Sequence, residues 1–219
     1  MTAAAGSDWR KLGSDDFYAA FVFMDEARRS RYGDISPTNT PVFAANMANA
    51  SDADLVFAHA LVGPSDLLIG VRAKSFKELV KTVQTKIQPS VDEGHFVHKL
   101  QSHIIISIEG RIDFVKNAFD GKQRSIPAMR AWVLATAGSR PQGGKSDPHG
   151  TPSSDARGLE DQIGKDEHIK LIAKVIGGYD YFIYVETEQM KEMQSVVDRW
   201  IRNRPEFIAT DTRIVMDEE

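Results

Sequence analysis

The chain has 219 residues and no cysteine. That absence excludes a disulfide framework, a thiolate nucleophile and cysteine-ligated zinc or iron–sulfur sites, and it fits a reducing compartment. No apolar run approaches the ~18 residues that a membrane helix needs, and Met1 to Gly13 lacks the apolar stretch of a signal peptide. A soluble, cytoplasmic protein is the expectation. Charge of one sign is also lacking. With 27 Lys and Arg against 31 Asp and Glu, the formal net charge is −4, which gives no global drive toward nucleic acid. What is present, 42% hydrophobic and 26% charged residues, is an ordinary globular composition. The length allows one large domain or two of about 100 residues each.

The chain carries an internal repeat. Val62-Gly63-Pro64-Ser65-Asp66-Leu67-Leu68-Ile69-Gly70-Val71 lines up with Ile176-Gly177-Gly178-Tyr179-Asp180-Tyr181-Phe182-Ile183-Tyr184-Val185. The same register carries Phe76, Leu79, Val83 and Ile87 onto Met190, Met193, Val197 and Ile201. With small gaps, Ala20-Phe21-Val22-Phe23 matches Ala131-Trp132-Val133-Leu134, and Ser102 to Ile106 matches Thr212 to Met216. A polar tail (1–14), a first unit (15–107), a connector (108–126) and a second unit (127–219) follow from this alignment.

Each unit reads as β-α-β-β-α-β. Residues 17–24 are β-branched and aromatic, a buried strand. After a long loop, Thr40-Pro41 can open a short helix. Strands at 54–62 and 66–73 flank a Gly63-Pro64-Ser65 turn. Ser75 caps a helix whose Phe76, Leu79, Val80, Val83 and Ile87 share one face, and a strand at about 98–107 closes the unit. The second unit repeats the order: strand 129–136, weak helix 154–164, strands 168–176 and 180–186 about Gly177-Gly178, helix 188–203, strand 207–216. The fold class predicted is α+β: two ferredoxin-like (βαββαβ) units. Both helices of such a unit cover one sheet face. The other face carries apolar groups too (Phe182 and Tyr184 against Tyr181, Ile183 and Val185), so the two units should pack sheet to sheet as a fused dimeric αβ barrel.

The strand Ala131-Trp132-Val133, the turn Gly177-Gly178-Tyr179-Asp180, the 188–203 helix and the spaced threonines of Thr210-Asp211-Thr212 together resemble the Lrp/AsnC ligand-binding (RAM) domain. The first unit resembles it less fully, with Ala20-Phe21-Val22, Gly63-Pro64-Ser65-Asp66, and Ser102 and Leu100 where threonines would stand. The resemblance implies a stand-alone small-metabolite binding module, with amino acids among the candidate ligands, acting through assembly. Carried over residue by residue, it marks Gly177, Tyr179, Asp180, Thr210 and Thr212, with Gly63, Asp66 and Ser102 in the first unit. Backbone N–H groups at a glycine turn suit a carboxylate, and an aspartate suits an ammonium. The same Gly and Asp also serve a tight turn with no ligand at all. The more complete second motif is expected to be the better binder. The family's regulators carry a helix-turn-helix ahead of this domain. Some 16 polar residues precede the first strand here, too few for one, so direct DNA contact is not expected. A small effector, further copies of the chain and a partner regulator protein are the expected partners, with neither nucleic acid nor membrane among them.

No nucleophile–base constellation can be placed, so no catalytic residue, metal ligand or cofactor is assigned. His95, His98 and His103 lack a zinc-binding pattern; with His59 they read as surface or interface histidines. Gly143-Gly144-Lys145-Ser146 lacks the upstream glycine of a phosphate loop. The long loops 25–40 and 137–153 stand at equivalent positions and read as solvated loops, or as covers over a barrel end or arms for assembly. Connector 108–124 reads as a linker packed on the core. The alternative to a binding module is an enzyme on the same barrel, a cofactor-independent monooxygenase or a heme-binding oxidoreductase, with a site inside the barrel built from groups such as Trp132, Tyr184, Arg72 or a histidine.

Overall fold

The computed structural model describes residues 18–26, 55–62, 67–87, 97–110, 129–138 and 166–216. Among these residues eight strands and two helices follow in chain order: β1 (Tyr18–Glu26), β2 (Leu55–Val62), β3 (Leu67–Ala73), α1 (Phe76–Thr82), β4 (Val97–Gly110), β5 (Met129–Ala137), β6 (Ile169–Ile176), β7 (Tyr181–Thr187), α2 (Met190–Val197) and β8 (Phe207–Val215). Each helix ends in a π-helical turn, Val83–Ile87 and Asp198–Arg202. The predicted helices near 41–47 and 154–164, the connector 108–126 beyond its first residues, and Gly63 and Asp66 lie outside the described residues.

The strands close into one antiparallel barrel in the order β1-β3-β2-β8-β5-β7-β6-β4. The first half contributes β4-β1-β3-β2 and the second β8-β5-β7-β6, the same internal order, as the repeat requires. The two sheets do face each other across the interior, and they are also joined at both edges. Leu61 and Val62 of β2 pair with Val215 and Ile214 of β8, and Ile104 to Gly110 of β4 pair with Ile176 to Leu171 of β6. Closure leaves no open sheet edge.

Alternation along each strand sorts the side chains. One set packs under the helices. Ala20, Val22, Ala58, Ala60, Leu67, Ile69 and Val71 lie against Leu79 and Ile87. Ala131, Val133, Ala135, Ile183 and Val185 lie against Met193, Val197 and Ile201. The small alanines on β1, β2 and β5 let the helices approach closely. Ser75 caps α1 as the sequence predicts, its Oγ accepting from the Glu78 N–H at 3.2 Å. The other set points inward and comes from both halves: Phe21, Phe23, Phe57, Leu61, Leu68, Trp132, Leu134, Leu171, Phe182, Tyr184 and Val215. An eight-stranded barrel is just wide enough for its side chains to fill it, and here aromatic rings do so. Gly70 exists for this layer: a Cβ there would fall 2.3 Å from the Phe57 ring. Among the described residues no helix is long and apolar enough to cross a membrane.

Candidate functional site

Two polar groups interrupt the aromatic interior. The first gathers on β2, β5 and β7. Trp132 Nε1 donates to His59 Nδ1 at 2.9 Å, so the neutral imidazole carries its proton on Nε2. The Tyr184 ring stacks on His59 at 5.8 Å and lies 4.9 Å from Trp132. Arg130 and Glu186, cross-strand partners, are buried beside them. Burial, then the Arg130 charge, hold the His59 pKa well below its ordinary value. Burial, then the Glu186 charge, push the Tyr184 phenol up. The group is dry, with no member more than 7% exposed.

The second group lies under the turn that joins β6 to β7. Asp211 and Arg213 alternate inward on β8, since Trp132 and Leu134 are their partners on β5. Arg213 Nε and Nη2 both donate to Asp211 Oδ2, at 3.0 and 2.9 Å, and Tyr179 Oη reaches the same oxygen at 3.4 Å. The Arg213 guanidinium lies 4.6 Å over the Phe23 ring. His103 on β4, fully buried, is caged by Phe23, Phe182 and Tyr179 at 5.7, 5.0 and 5.9 Å. Burial, then the Arg213 charge, lower its pKa to about 4. Among the described residues, Arg213 Nη1 and both His103 ring nitrogens have no hydrogen-bond partner. Tyr179 and Asp211 are partly exposed, so this end of the barrel communicates with solvent.

The residues marked by the family resemblance divide between this mouth and the outer surface. Gly177 touches His103: a Cβ there would fall 2.1 Å from Nδ1. Tyr179 covers the group. Asp180 serves the turn: its Oδ2 accepts from the Ala137 N–H at 2.8 Å, and its own N–H donates to the Ala135 carbonyl. Thr210 and Thr212 pair with Ala135 and Val133, the helix-facing positions of β5, and Thr212 Oγ1 accepts from Arg202. Ser102 pairs with Val22, again on the outer face. These three polar side chains therefore stand outside the barrel while Asp211, Arg213 and His103 stand inside it. The histidine expectation is corrected as well: His59 and His103 are interior, not surface, because both share the inward register of phenylalanines. Sequence reasoning also missed Arg130, Glu186, Asp211 and Arg213. The signal was available, because the repeat places His103 and Arg213 at the same position of the two closing strands.

A further expectation follows from Gly177. Gly177→Ala should destabilise by about 1–3 kcal/mol, because ring or backbone must move. Gly178→Ala, whose Cβ meets only the end of the Gln101 side chain at 2.8 Å, should cost within about 0.5 kcal/mol. Urea unfolding of the two variants checks the order.

No protein-family model matches the chain, and no curated protein matches it by sequence. Solved structures do match in fold. A mutant chlorite dismutase from Candidatus Nitrospira defluvii in complex with cyanide is 13% identical with a TM-score of 0.54, covering 97% of this chain and 96% of that one. The siroheme decarboxylase NirDL, in co-complex with an iron-uroporphyrin III analogue, is 8% identical with a TM-score of 0.54, over 95% of this chain and 73% of its own. A proposed monooxygenase from Fusobacterium nucleatum is 6% identical with a TM-score of 0.54, over 93% of each chain. Identities this low establish the architecture, an α+β barrel closed by antiparallel strands, and nothing finer.

One of these neighbours, solved with an iron-uroporphyrin III analogue, raises the question of a tetrapyrrole. Neutral His103 has the donor chemistry of an axial ligand, but its surroundings do not fit a macrocycle. Three rings stand within 6 Å and the Gly177 backbone closes its Nδ1 side.

Proposed function

We propose that the chain is an αβ-barrel enzyme of the oxygenase or oxidoreductase kind. It works at the mouth formed by Phe23, His103, Tyr179, Asp211 and Arg213, on a small substrate and without a tetrapyrrole inside the barrel. In this reading each half is a ferredoxin-like unit and the chain is a fused form of a dimer. The fold neighbours are consistent with such chemistry, and one observation carries the reading. A buried guanidinium nitrogen and a buried imidazole, both lacking partners among the described residues, lie beneath the partly exposed Tyr179 and Asp211. Buried polar groups are normally satisfied, and exceptions point to sites. Arg213 would orient the substrate by an anionic group held against it, with an electron-rich phenol or enediol as the part that dioxygen oxidises. His103 stays neutral at physiological pH and adds no second cation.

Oxygen uptake with a panel of hydroquinones and hydroxybenzoates tests this. Turnover without added metal or flavin is expected, falling about 10²-fold or more in Arg213→Gln. Absence of uptake across the panel, or uptake indifferent to Arg213→Gln, removes the enzyme reading.

The second reading is a metabolite-binding module of the Lrp/AsnC kind, working with further copies or a partner regulator. Gly177 and Tyr179 favour it, since both border the mouth. Saturable stabilisation by a metabolite with no turnover supports that reading over the first.

A further inference from the structure

We infer that the barrel mouth anchors a planar carboxylate monoanion on Arg213 Nη1. This deepens the enzyme reading by naming the charged end of its substrate, and it rests on the same group of side chains at the barrel mouth. Asp211 engages the guanidinium through one edge only, Nε and Nη2 on a single oxygen. The remaining nitrogen, Nη1, is buried without an acceptor, a condition that costs more than an ordinary missing hydrogen bond because the donor is charged. A carboxylate is the acceptor that matches it, since guanidinium–carboxylate hydrogen bonds are charge-assisted and planar. The arrangement discriminates. Asp211 already balances the guanidinium, so every further negative charge is uncompensated in these buried surroundings, and a monoanion brings half as much of it as a dianion does. A second cation is repelled by Arg213 itself. His103, which packs on the same Phe23 ring as the Arg213 guanidinium, offers either a ring N–H to the second carboxylate oxygen or a lone pair to a substrate hydroxyl. Phe23 under the guanidinium and Tyr179 beside Asp211 supply aromatic surface next to that nitrogen for the organic part.

The test is an equilibrium one and is independent of turnover. Sodium formate, acetate and benzoate are titrated against the full chain at pH 7 and constant ionic strength, with chloride and sulfate as controls. Thermal midpoint and the Arg side-chain ¹⁵N resonances of arginine-labelled protein are followed. The expected result is a saturable rise with the carboxylates, absent with chloride and sulfate, with one arginine resonance shifting. Arg213→Gln, if its near-ultraviolet circular dichroism is native-like, should weaken binding at least tenfold, whereas Thr212→Val should bind as the parent does. Should the Arg213 variant fail to fold, the arginine resonances of the parent decide alone. The inference is overturned if carboxylates act no differently from chloride, if no arginine resonance moves, or if folded Arg213→Gln binds equally well. Carboxylate binding without oxygen uptake leaves this anchor standing and removes the enzyme reading; uptake without carboxylate binding does the reverse.

Discussion

Trp132→Ala is expected to lower stability by about 3–5 kcal/mol, the range for deleting a large buried aromatic, and to reduce the thermal midpoint by about 6–20 °C for a chain of this size. Trp132 is fully buried and touches rings from both halves: Phe21 at 5.3 Å and Phe57 at 5.4 Å from the first, Tyr184 at 4.9 Å and Phe182 at 6.5 Å from the second. Its loss therefore opens the layer that the two sheets share, where neither half can relax alone to fill the gap. A second variant separates packing from hydrogen bonding. Trp132→Phe retains a ring but removes the N–H that His59 Nδ1 accepts, and should cost about 1–3 kcal/mol for a buried acceptor that loses its donor. Urea unfolding of both variants checks the ranking. If Trp132→Ala fell within 1 kcal/mol of the parent, the shared aromatic layer would not be what joins the halves.

How far this arrangement could be read in advance differs between fold and site. The strand positions, both helices and the Ser75 cap follow from local patterns, because alternation and helical spacing are imposed by each element's own geometry. The duplicated order followed from the repeat, and the need for a second apolar face led to facing sheets. Closure at both edges was not legible. Which strand bonds to which across the two halves depends on register between distant segments, as at Leu61–Val215 and Ile104–Ile176. The β4 bulge between Ile105 and Ser107 shifts the parity of that strand without leaving a pattern in the sequence.

The site was less legible for a related reason. A motif read from a family fixes identities along the chain, but function depends on which side of the sheet each residue faces, and a single step along a strand reverses it. Thr210-Asp211-Thr212-Arg213 illustrates this. The threonines drew attention, yet the pairing of Trp132 with Arg213 sends Asp211 and Arg213 inward and the threonines outward. The alternation alone held a hint, because Arg213 shares parity with buried Val215. The barrel-interior alternative was closer, for Trp132 and Tyr184 do line the interior together with a histidine. Gly177 and Tyr179, marked by the resemblance, border the mouth, and Gly177 is required there by contact with the His103 ring, a packing demand that no turn rule contains.

The buried histidines make acid the condition under which this barrel should weaken. The pKa of His103 is about 4 in the folded chain, against 6.5 for an exposed imidazole, and that of His59 lies below 6.5 as well. As pH falls through 6.5 the unfolded chain takes up these protons first, so protonation favours unfolding. The contribution is fully present above about pH 6.5 and is lost as pH falls toward 4, at about 1.4 kcal/mol per pH unit for each group. His103 alone should account for roughly 2–3 kcal/mol over that interval, with His59 adding in the same direction. Burial sets the sign and the facing charges reinforce it: Arg213 stands by His103 and Arg130 by His59, so an imidazolium in either place is desolvated and also meets a like charge. Urea unfolding between pH 4 and 7.5 should show this slope in the parent. His103→Leu should flatten part of it, and the double variant His103→Leu with His59→Leu should flatten most of what lies above pH 4.5, where carboxylates contribute little. A parent whose stability is constant from pH 7.5 to 4.5 would mean that the two imidazoles are open to water, and the dry aromatic interior on which the anion anchor depends would go with them.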